Sequence, residues 1–177
     1  MQNTDNKCIT NFWFVAKTRA NQELSIKRHL DGFGIENFVP VRSEVRMYSG
    51  RKRMVQKVQI PNIVFVHSTK EQAYSLINER CLKLSFMIDK HTRKTMIVPE
   101  KQMCDFMRVF AANNAEELQI STTTTFAKGD KVQIMEGVFC GVEGELMWIN
   151  GKSQVRVQIP GVVAITLHVS KKSLRKI

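Results

Sequence analysis

The sequence has few cysteines and no long apolar run. Its four cysteines are scattered and none forms a CxxC pair, so their spacing supports neither a zinc site nor a disulfide framework. No apolar segment approaches the roughly 18–20 residues of a membrane helix, and the amino terminus lacks the apolar core of a secretory signal. We therefore expect a cytoplasmic protein with reduced thiols.

Patterns typical of enzymes are also missing. Gly151-Lys152-Ser153 resembles the end of a phosphate-binding loop, but the position five residues before Gly151, where such a loop needs a glycine, is Leu146. The four histidines lie far apart, without a metal-binding or catalytic spacing. We expect no catalysis, no cofactor and no metal site.

Positive charge is in excess. The chain has 27 Lys and Arg against 16 Asp and Glu, a net charge of +11, and most of the excess falls before residue 113. This balance favours a polyanionic partner, with nucleic acid ahead of an anionic membrane surface. A hydrophobic fraction of 43% is sufficient for a buried core.

The apolar spacing alternates between strand and helix patterns over residues 11–112. Phe12–Ala16 is typical of a buried strand, residues 19–33 of a helix closed by glycine, and residues 60–66 of another strand. A buried helical stripe follows at Met103, Phe106, Met107 and Phe110. We predict an α/β (α+β) domain with a sheet flanked by helices.

The pattern changes after residue 112. Residues 113–125 are polar and predict a linker, whereas residues 126–177 alternate apolar and polar side chains with a period of two. The Asn150-Gly151 turn signal also favours a small all-β barrel. The predicted organisation is a flexible amino terminus (1–10), an α/β domain (11–112), a linker (113–125) and a barrel (126–177).

Residues 42–57 form a basic segment with a single glycine, Gly50. We predict two extended arms around a turn at this glycine. Glu44 is the only acid, and the basic residues are Arg42, Arg46, Arg51, Lys52, Arg53 and Lys57. Two interpretations stay open: a solvated hairpin, or a basic finger whose phosphate contacts gain from counterion release.

Two motifs in order resemble the NusG family of transcription factors. The first combines Phe12-Trp13-Phe14-Val15, a helix with Glu23, and the strand start Ile60-Pro61-Asn62-Ile63. The second, Gly129-Asp130-Lys131-Val132 followed by glycines up to Gly144, is similar to the KOW motif of SH3-like barrels. The resemblance covers residues 11–177, and its Pro-Asn variant is most similar to specialised paralogues of the RfaH/UpxY (capsule-operon) type.

The resemblance implies a NusG N-terminal (NGN) domain, a KOW domain and a role in transcription antitermination and elongation. Such a factor binds the clamp helices of bacterial RNA polymerase, contacts the non-template DNA strand and suppresses pausing and termination on selected operons. The implied polymerase-binding residues are Trp13, Ile60, Pro61 and Ile63. The implied nucleic-acid-binding residues are Arg19, Lys27, Arg28, His29 and Arg80, to which the basic segment adds Arg51, Lys52 and Arg53.

Several points stay open in the resemblance. The family's KOW domain commonly docks a small-subunit ribosomal protein or the termination factor Rho, and that of RfaH can refold as a helical hairpin. In this chain, the regular alternation of apolar and polar residues over residues 126–177 favours the barrel over a helical hairpin. RfaH contacts the polymerase gate loop through a His-Thr-Thr triplet, where this chain has Gln72-Ala73-Tyr74. The alternative function is a KOW-containing RNA- or ribosome-binding adaptor. We expect a monomer with no membrane partner.

Overall fold

The computed structural model describes residues 10–80, 82–90, 92–112, 119–121, 129–149 and 152–177. The chain divides into two compact units, Met1–Val98 and Pro99–Ile177. The predicted flexible terminus up to residue 9, most of the predicted linker and the Asn150-Gly151 turn lie outside the described residues. The predicted domain bounds stay a prediction.

The first unit is built on an antiparallel sheet. In chain order its elements are β1 (Phe12–Thr18), α1 (Glu23–Gly32), β2 (Glu36–Phe38), β3 (Val41–Tyr48), β4 (Arg51–Val58), β5 (Ile63–Ser68), α2 (Lys70–Asn78), β6 (Leu84–Phe86) and β7 (Ile97–Val98). The main sheet has the order β2-β5-β1-β6, with β7 also paired to β1, while β3 and β4 form a separate two-stranded sheet. The predicted α/β class is confirmed.

The central strands β1 and β5 are apolar on both faces. Val15 pairs with Phe65 and Ala16 pairs with Val64, and all four are buried although neighbouring pairs face opposite sides of the sheet. One face packs against α1 and α2 in a cluster of Ala16, Ile26, Leu30, Val39, Val64, Val66, Leu76 and Leu84. This burial explains why both strands are nearly continuous apolar runs.

Local chemistry sets where the helices begin. α2 starts with a capping box, in which the Thr69 hydroxyl accepts the Gln72 N–H at 3.2 Å and the Gln72 side chain accepts the Thr69 N–H at 3.3 Å. α1 begins at Glu23 rather than at Arg19 because Asn21 adopts a φ of 62°, outside the helical region. The predicted start of this helix was therefore wrong.

Among its described residues, the second unit combines an α-helix and a short 3-10 helix (Lys171–Ser173) with an antiparallel sheet. Its elements are α3 (Glu100–Ala112), β8 (Gln119–Ser121), β9 (Lys131–Ile134), β10 (Glu143–Ile149), β11 (Lys152–Ile159), β12 (Val163–His168) and β13 (Leu174–Lys176). The carboxy-terminal sheet has the antiparallel order β13-β9-β10-β11-β12-β8, which is compatible with an SH3-like KOW barrel. α3, which the sequence assigned to the first domain, groups here with the second unit. β8 lies within the predicted linker, whose polar composition did not indicate a strand.

Two glycines of the KOW-like motif lie where neighbouring backbones approach closely. A Cβ on Gly129 would be 2.1 Å from the carbonyl oxygen of Leu146, and one on Gly144 would be 2.6 Å from the carbonyl oxygen of Arg156. These obstacles are backbone atoms, so no change of rotamer can remove them. The motif requires glycine at both positions for this reason.

No described helix is both long and apolar enough to cross a membrane.

Candidate functional site

The turn before β5 exposes one of the four predicted polymerase-binding residues. Pro61 is exposed, whereas Trp13, Ile60 and Ile63 are only 1%, 0% and 8% exposed. Ile60, Pro61 and Ile63 lie together in sequence at the start of β5. Their role in polymerase binding stays a prediction.

Trp13 lies away from this turn. The register pairs Ile63 with Lys17 and Trp13 with His67, which separates the two sites by about 13 Å along β1. The Trp13 ring stacks on the His67 ring with centroids 4.7 Å apart. Its indole N–H is buried without a hydrogen-bond partner within the described part of the chain. The structure therefore does not bring Trp13 to the Pro61 turn.

A buried carboxylate holds the Pro61 turn in place. Asn62 has a φ of 65°, and its backbone N–H donates a 2.7 Å hydrogen bond to the Glu23 carboxylate. The Asn62 carbonyl accepts the Thr18 N–H at 3.0 Å. Glu23 is 2% exposed and is the first residue of α1. The helix start and the end of β1 thus fix the turn from two sides.

Replacing Glu23 with alanine is expected to lower the free energy of unfolding by roughly 1.5–3 kcal/mol, the range for hydrogen bonds to charged groups. Urea denaturation of the full chain measures this loss. Gln22→Ala is the control, because exposed Gln22 makes no side-chain capping bond. Equal losses in the two variants would contradict the role of Glu23.

A cavity of about 360 Å³ adjoins the turn. Its lining includes apolar Leu24, Val55, Val58 and Pro61 and basic Arg46 and Lys57. Among the described residues that line it, Glu23 is the only carboxylate, and its charge is engaged by the turn. An apolar recess with a cationic rim suits a protein surface that carries acidic groups around an apolar contact.

The β3–β4 hairpin confirms the two extended arms predicted for the basic segment. Arg46 pairs with Arg53 and Tyr48 pairs with Arg51, so these four side chains share one face, here named the cationic face. Within the described residues, Arg51 and Arg53 have no carboxylate partner. The cationic face therefore offers free positive charge beside the ring of Tyr48, which is 47% exposed.

Glu44 lies on the same hairpin and is ionised. Its carboxylate forms ion pairs with Lys57 at 3.1 Å and with Arg46 at 3.4 Å. The hydrogen bond from Lys57, followed by the contact with Arg46, holds the pKa of Glu44 below its ordinary value. This acid offsets part of the charge at the base of the hairpin and leaves the tip cationic.

The opposite face of the hairpin is largely apolar. Lys52 pairs with Met47 there, and Val45 pairs with Met54. Val45, Met47 and Met54 are 59%, 62% and 69% exposed. The consecutive basic residues Arg51, Lys52 and Arg53 therefore do not point to one surface, since alternate residues of a strand face opposite sides.

The predicted basic face of α1 is partly neutralised. Lys27 forms a 3.1 Å ion pair with Asp31. Asn37 donates a 2.7 Å hydrogen bond to Asp31 and, ahead of Lys27, lowers the pKa of that carboxyl. Lys27 therefore brings little free charge to this face.

Arg80 stacks on Phe33, the residue that follows the last turn of α1. Its guanidinium lies over the Phe33 ring, 3.9 Å from the centroid, in a cation–π geometry. The remaining predicted residues, Arg19, Arg28 and His29, are exposed. The structure thus brings Arg80 to the carboxyl end of α1.

Sequence reasoning missed a polar contact between α3 and the carboxy-terminal sheet. Lys101 donates to Asp105 at 2.7 Å and to the Gly141 carbonyl at 3.0 Å, and Asp105 accepts the Glu143 N–H at 3.2 Å. Burial lowers the pKa of Lys101, but the hydrogen bond and charge of Asp105, with Glu143, outweigh this effect and raise it overall. The only sequence signal was the i, i+4 spacing of Lys101 and Asp105, which is common on helices.

The described residues contain no cluster of three or more His, Cys, Asp or Glu side chains that could hold a metal ion.

Comparisons with known proteins give a family match and a number of structural likenesses. The family model described as NusG, transcription termination factor nusG, matches residues 11–107. A structure described as domain interaction in Thermotoga maritima NusG is 19% identical, with 95% of this chain and 98% of that chain covered and a TM-score of 0.49. A structure of the MjSpt4:Spt5 complex is 18% identical, with 93% and 96% covered and a TM-score of 0.26. The curated proteins contain no match to this chain.

Proposed function

The chain belongs to the NusG family of transcription factors, whose model matches more than half of it, and we propose that it is an elongation and antitermination factor of the RfaH/UpxY type. It binds the clamp helices of bacterial RNA polymerase through its first unit, contacts the non-template DNA strand, and suppresses pausing and termination on selected operons. It acts as a cytoplasmic monomer and catalyses no reaction.

The observation that carries this proposal is the exposed Pro61 turn beside an apolar recess. Glu23 holds the turn rigid, so little conformational entropy is lost when a partner binds there. Arg46 and Lys57 at the recess share the single carboxylate of Glu44, so the three groups keep a net positive charge that favours an acidic partner surface. In this proposal Pro61 makes the contact, and Ile60 and Ile63 support it from the core.

The sequence resemblance also assigns Trp13 to the polymerase interface. Because its side chain is 1% exposed and its indole N–H is buried, Trp13 supports β1 from the core in this proposal and does not touch the partner.

The mechanism is a shift of population. A factor that binds only the closed state of the polymerase clamp moves the equilibrium toward that state by its difference in affinity for the two states. A tenfold preference corresponds to about 1.4 kcal/mol. No chemical step is required of the factor.

Nucleic-acid contacts come from two surfaces in this proposal. The cationic face of the hairpin supplies Arg51 and Arg53 for phosphates and Tyr48 for stacking on a base. The face at α1 supplies Arg19, Arg28, His29 and the stacked Arg80, with a smaller contribution from the ion-paired Lys27. Lys52 lies on the opposite face of the hairpin and contributes least.

The carboxy-terminal sheet is the proposed KOW domain. Its antiparallel strand order and its two close-packed motif glycines support this assignment. By family analogy it docks a small-subunit ribosomal protein or Rho.

Single-round transcription by purified bacterial RNA polymerase tests the proposed function. Saturating amounts of the chain are expected to shorten pauses and to raise read-through at a terminator. Unchanged pausing would contradict the proposal. Increased termination would agree with a role of the chain as a NusG-family transcription factor but would contradict the proposed antitermination.

A pair of adjacent residues tests the proposed DNA contact of the hairpin. Arg53→Gln is expected to reduce the slope of log affinity against log salt by about 0.7–1 for elongation scaffolds with a single-stranded non-template segment, because one phosphate contact is lost. Lys52→Gln removes the same charge from the opposite face and is expected to leave the slope nearly unchanged. Equal effects of the two variants would contradict the assignment of the cationic face.

A further inference from the structure

A second cavity in the first unit has a volume of about 370 Å³ and shares no residue with the cavity at Pro61. It lies between α2, β1 and the segment that joins β6 to β7. Three aromatic rings and three basic side chains line it: Phe14, Phe86, Tyr74, Lys70, Arg93 and Lys94. Among the described residues of its lining there is no carboxylate.

The aromatic rings form an inner wall and an outer rim. Phe14 is 2% exposed, and its ring centroid lies 5.5 Å from that of half-buried Phe86 at an interplanar angle of 55°. Tyr74 is 55% exposed and follows Lys70 by four residues on α2, so both lie on one side of the helix. Rings with accessible faces or edges bind planar aromatic groups by stacking.

The basic side chains surround these rings. Lys70 is the first residue of α2, and Arg93 and Lys94 lie in the turn before β7. Within the described residues none of the three has an ion-pair partner. Arg93 and Lys94 therefore present uncompensated positive charge at the cavity, whereas the Lys70 ammonium group also lies over the Phe12 ring, 5.5 Å from its centroid.

The turn that carries Arg93 and Lys94 is closed by backbone hydrogen bonds. The Asp89 N–H donates to the Lys94 carbonyl and the Arg93 N–H donates to the Asp89 carbonyl, both at 2.9 Å. Arg93 has a φ of 57°, a strained value for a residue with a side chain. Strain of this kind persists where the surrounding structure enforces it and is concentrated at functional sites.

We propose that this cavity binds one nucleotide of a single-stranded nucleic acid. The base stacks on the exposed ring of Tyr74, next to half-buried Phe86, against which buried Phe14 packs. The flanking phosphates lie against Lys70, Arg93 and Lys94. The cavity volume is near the lower end of ligand sites, about 300–1,000 Å³, which suits a single nucleotide. Each nucleotide of a single-stranded nucleic acid supplies a planar base and a negatively charged phosphate, which match the aromatic and basic side chains of the cavity.

The site goes beyond the proposed clamp-helix and DNA contacts, because none of its six residues belongs to the Pro61 turn, the cationic face or the face at α1. Tyr74 falls in the segment Gln72-Ala73-Tyr74 that aligns with the gate-loop triplet of RfaH, and this proposal assigns it to a nucleic-acid base instead. Binding here does not require polymerase. Failure of this inference would leave the Pro61 interface untouched, and loss of polymerase binding would leave this cavity untouched.

Fluorescence anisotropy of the full chain with a short labelled oligothymidine tests the proposal. Tyr74→Ala is expected to weaken binding about tenfold, as for the loss of one stacked base. Lys94→Gln is expected to weaken binding and to lower the salt slope by about 0.7. Lys90→Gln is the matched control, because Lys90 is exposed in the same turn but does not line the cavity. Unchanged melting temperatures establish that the variants are folded.

Three results would overturn the proposal. One is an equal effect of Lys94→Gln and Lys90→Gln, which would indicate diffuse charge attraction. Another is equal affinity for oligothymidine and for an abasic strand of the same length, which would exclude stacking of a base. The third is displacement of oligothymidine by an acidic, aromatic peptide at a lower concentration than by unlabelled oligothymidine, which would assign the cavity to a protein partner. Selective losses in Tyr74→Ala and Lys94→Gln with weak binding of the abasic strand would support it.

Discussion

Replacement of Gly129 with alanine is expected to destabilise the carboxy-terminal sheet by about 3 kcal/mol or more. The added Cβ would lie 2.1 Å from the Leu146 carbonyl oxygen, far inside van der Waals contact. Relief requires a shift of the backbone, and the Leu146 N–H already donates to the Asp130 carbonyl at 2.8 Å, which holds the two segments together. Overpacking typically costs about 1–3 kcal/mol and more where the obstacle cannot move.

Urea denaturation followed by the fluorescence of Trp148, which lies on β10 of that sheet, measures this effect. Gly32→Ala is the matched control, because a Cβ at this helical glycine meets no atom within 4 Å. That substitution is expected to be neutral or to stabilise by up to about 1 kcal/mol, as alanine favours helix. A Gly129→Ala variant as stable as the parent chain would contradict the close approach of the two backbones.

The second large effect is expected at the Pro61 turn. Pro61→Asp is expected to weaken binding to the clamp-helix fragment of bacterial RNA polymerase at least about tenfold, or 1.4 kcal/mol. The substitution places a charge at an apolar recess, where it must be desolvated against the partner. Because Pro61 is exposed, the fold is expected to persist.

The position of the substitution decides what the experiment measures. Ile63 is 8% exposed, so Ile63→Asp would bury an unpaired charge and would report on folding. Asn11→Asp is the appropriate control, because Asn11 is exposed and adjoins the opposite end of β1 from the pair Lys17 and Ile63. If Asn11→Asp weakened binding as much as Pro61→Asp, the loss would be explained by added negative charge in general and not by a contact at Pro61.

The fold class was predictable because local patterns agree with tertiary structure over most elements. Alternating Val155, Val157 and Ile159 predict a strand, and all three are buried in β11. The single Gly50 between basic arms predicts the β3–β4 hairpin that the structure contains. The start of α1 was missed because Asn21 leaves the helical region, and composition does not reveal such a backbone angle.

The candidate site was less predictable, since it depends on partners distant in sequence. The family resemblance implied that Trp13 and Ile63 belong to a binding surface, yet packing on the faces of the sheet buries both. Arg51 and Lys52 are adjacent in sequence but lie on opposite faces of a hairpin whose register is set by pairing. From the sequence alone, Lys27 would be counted as a free positive charge. The structure shows that it is paired with Asp31, which also accepts a hydrogen bond from Asn37.

The most direct test of the account is calorimetric titration of the full chain with the clamp-helix fragment of bacterial RNA polymerase. We expect saturable binding with one fragment per chain, lost in Pro61→Asp and kept in Asn11→Asp. Absence of binding by a chain shown to be folded from its melting transition would contradict the proposed polymerase contact. The adaptor function, with RNA or the ribosome as the partner, would then take its place.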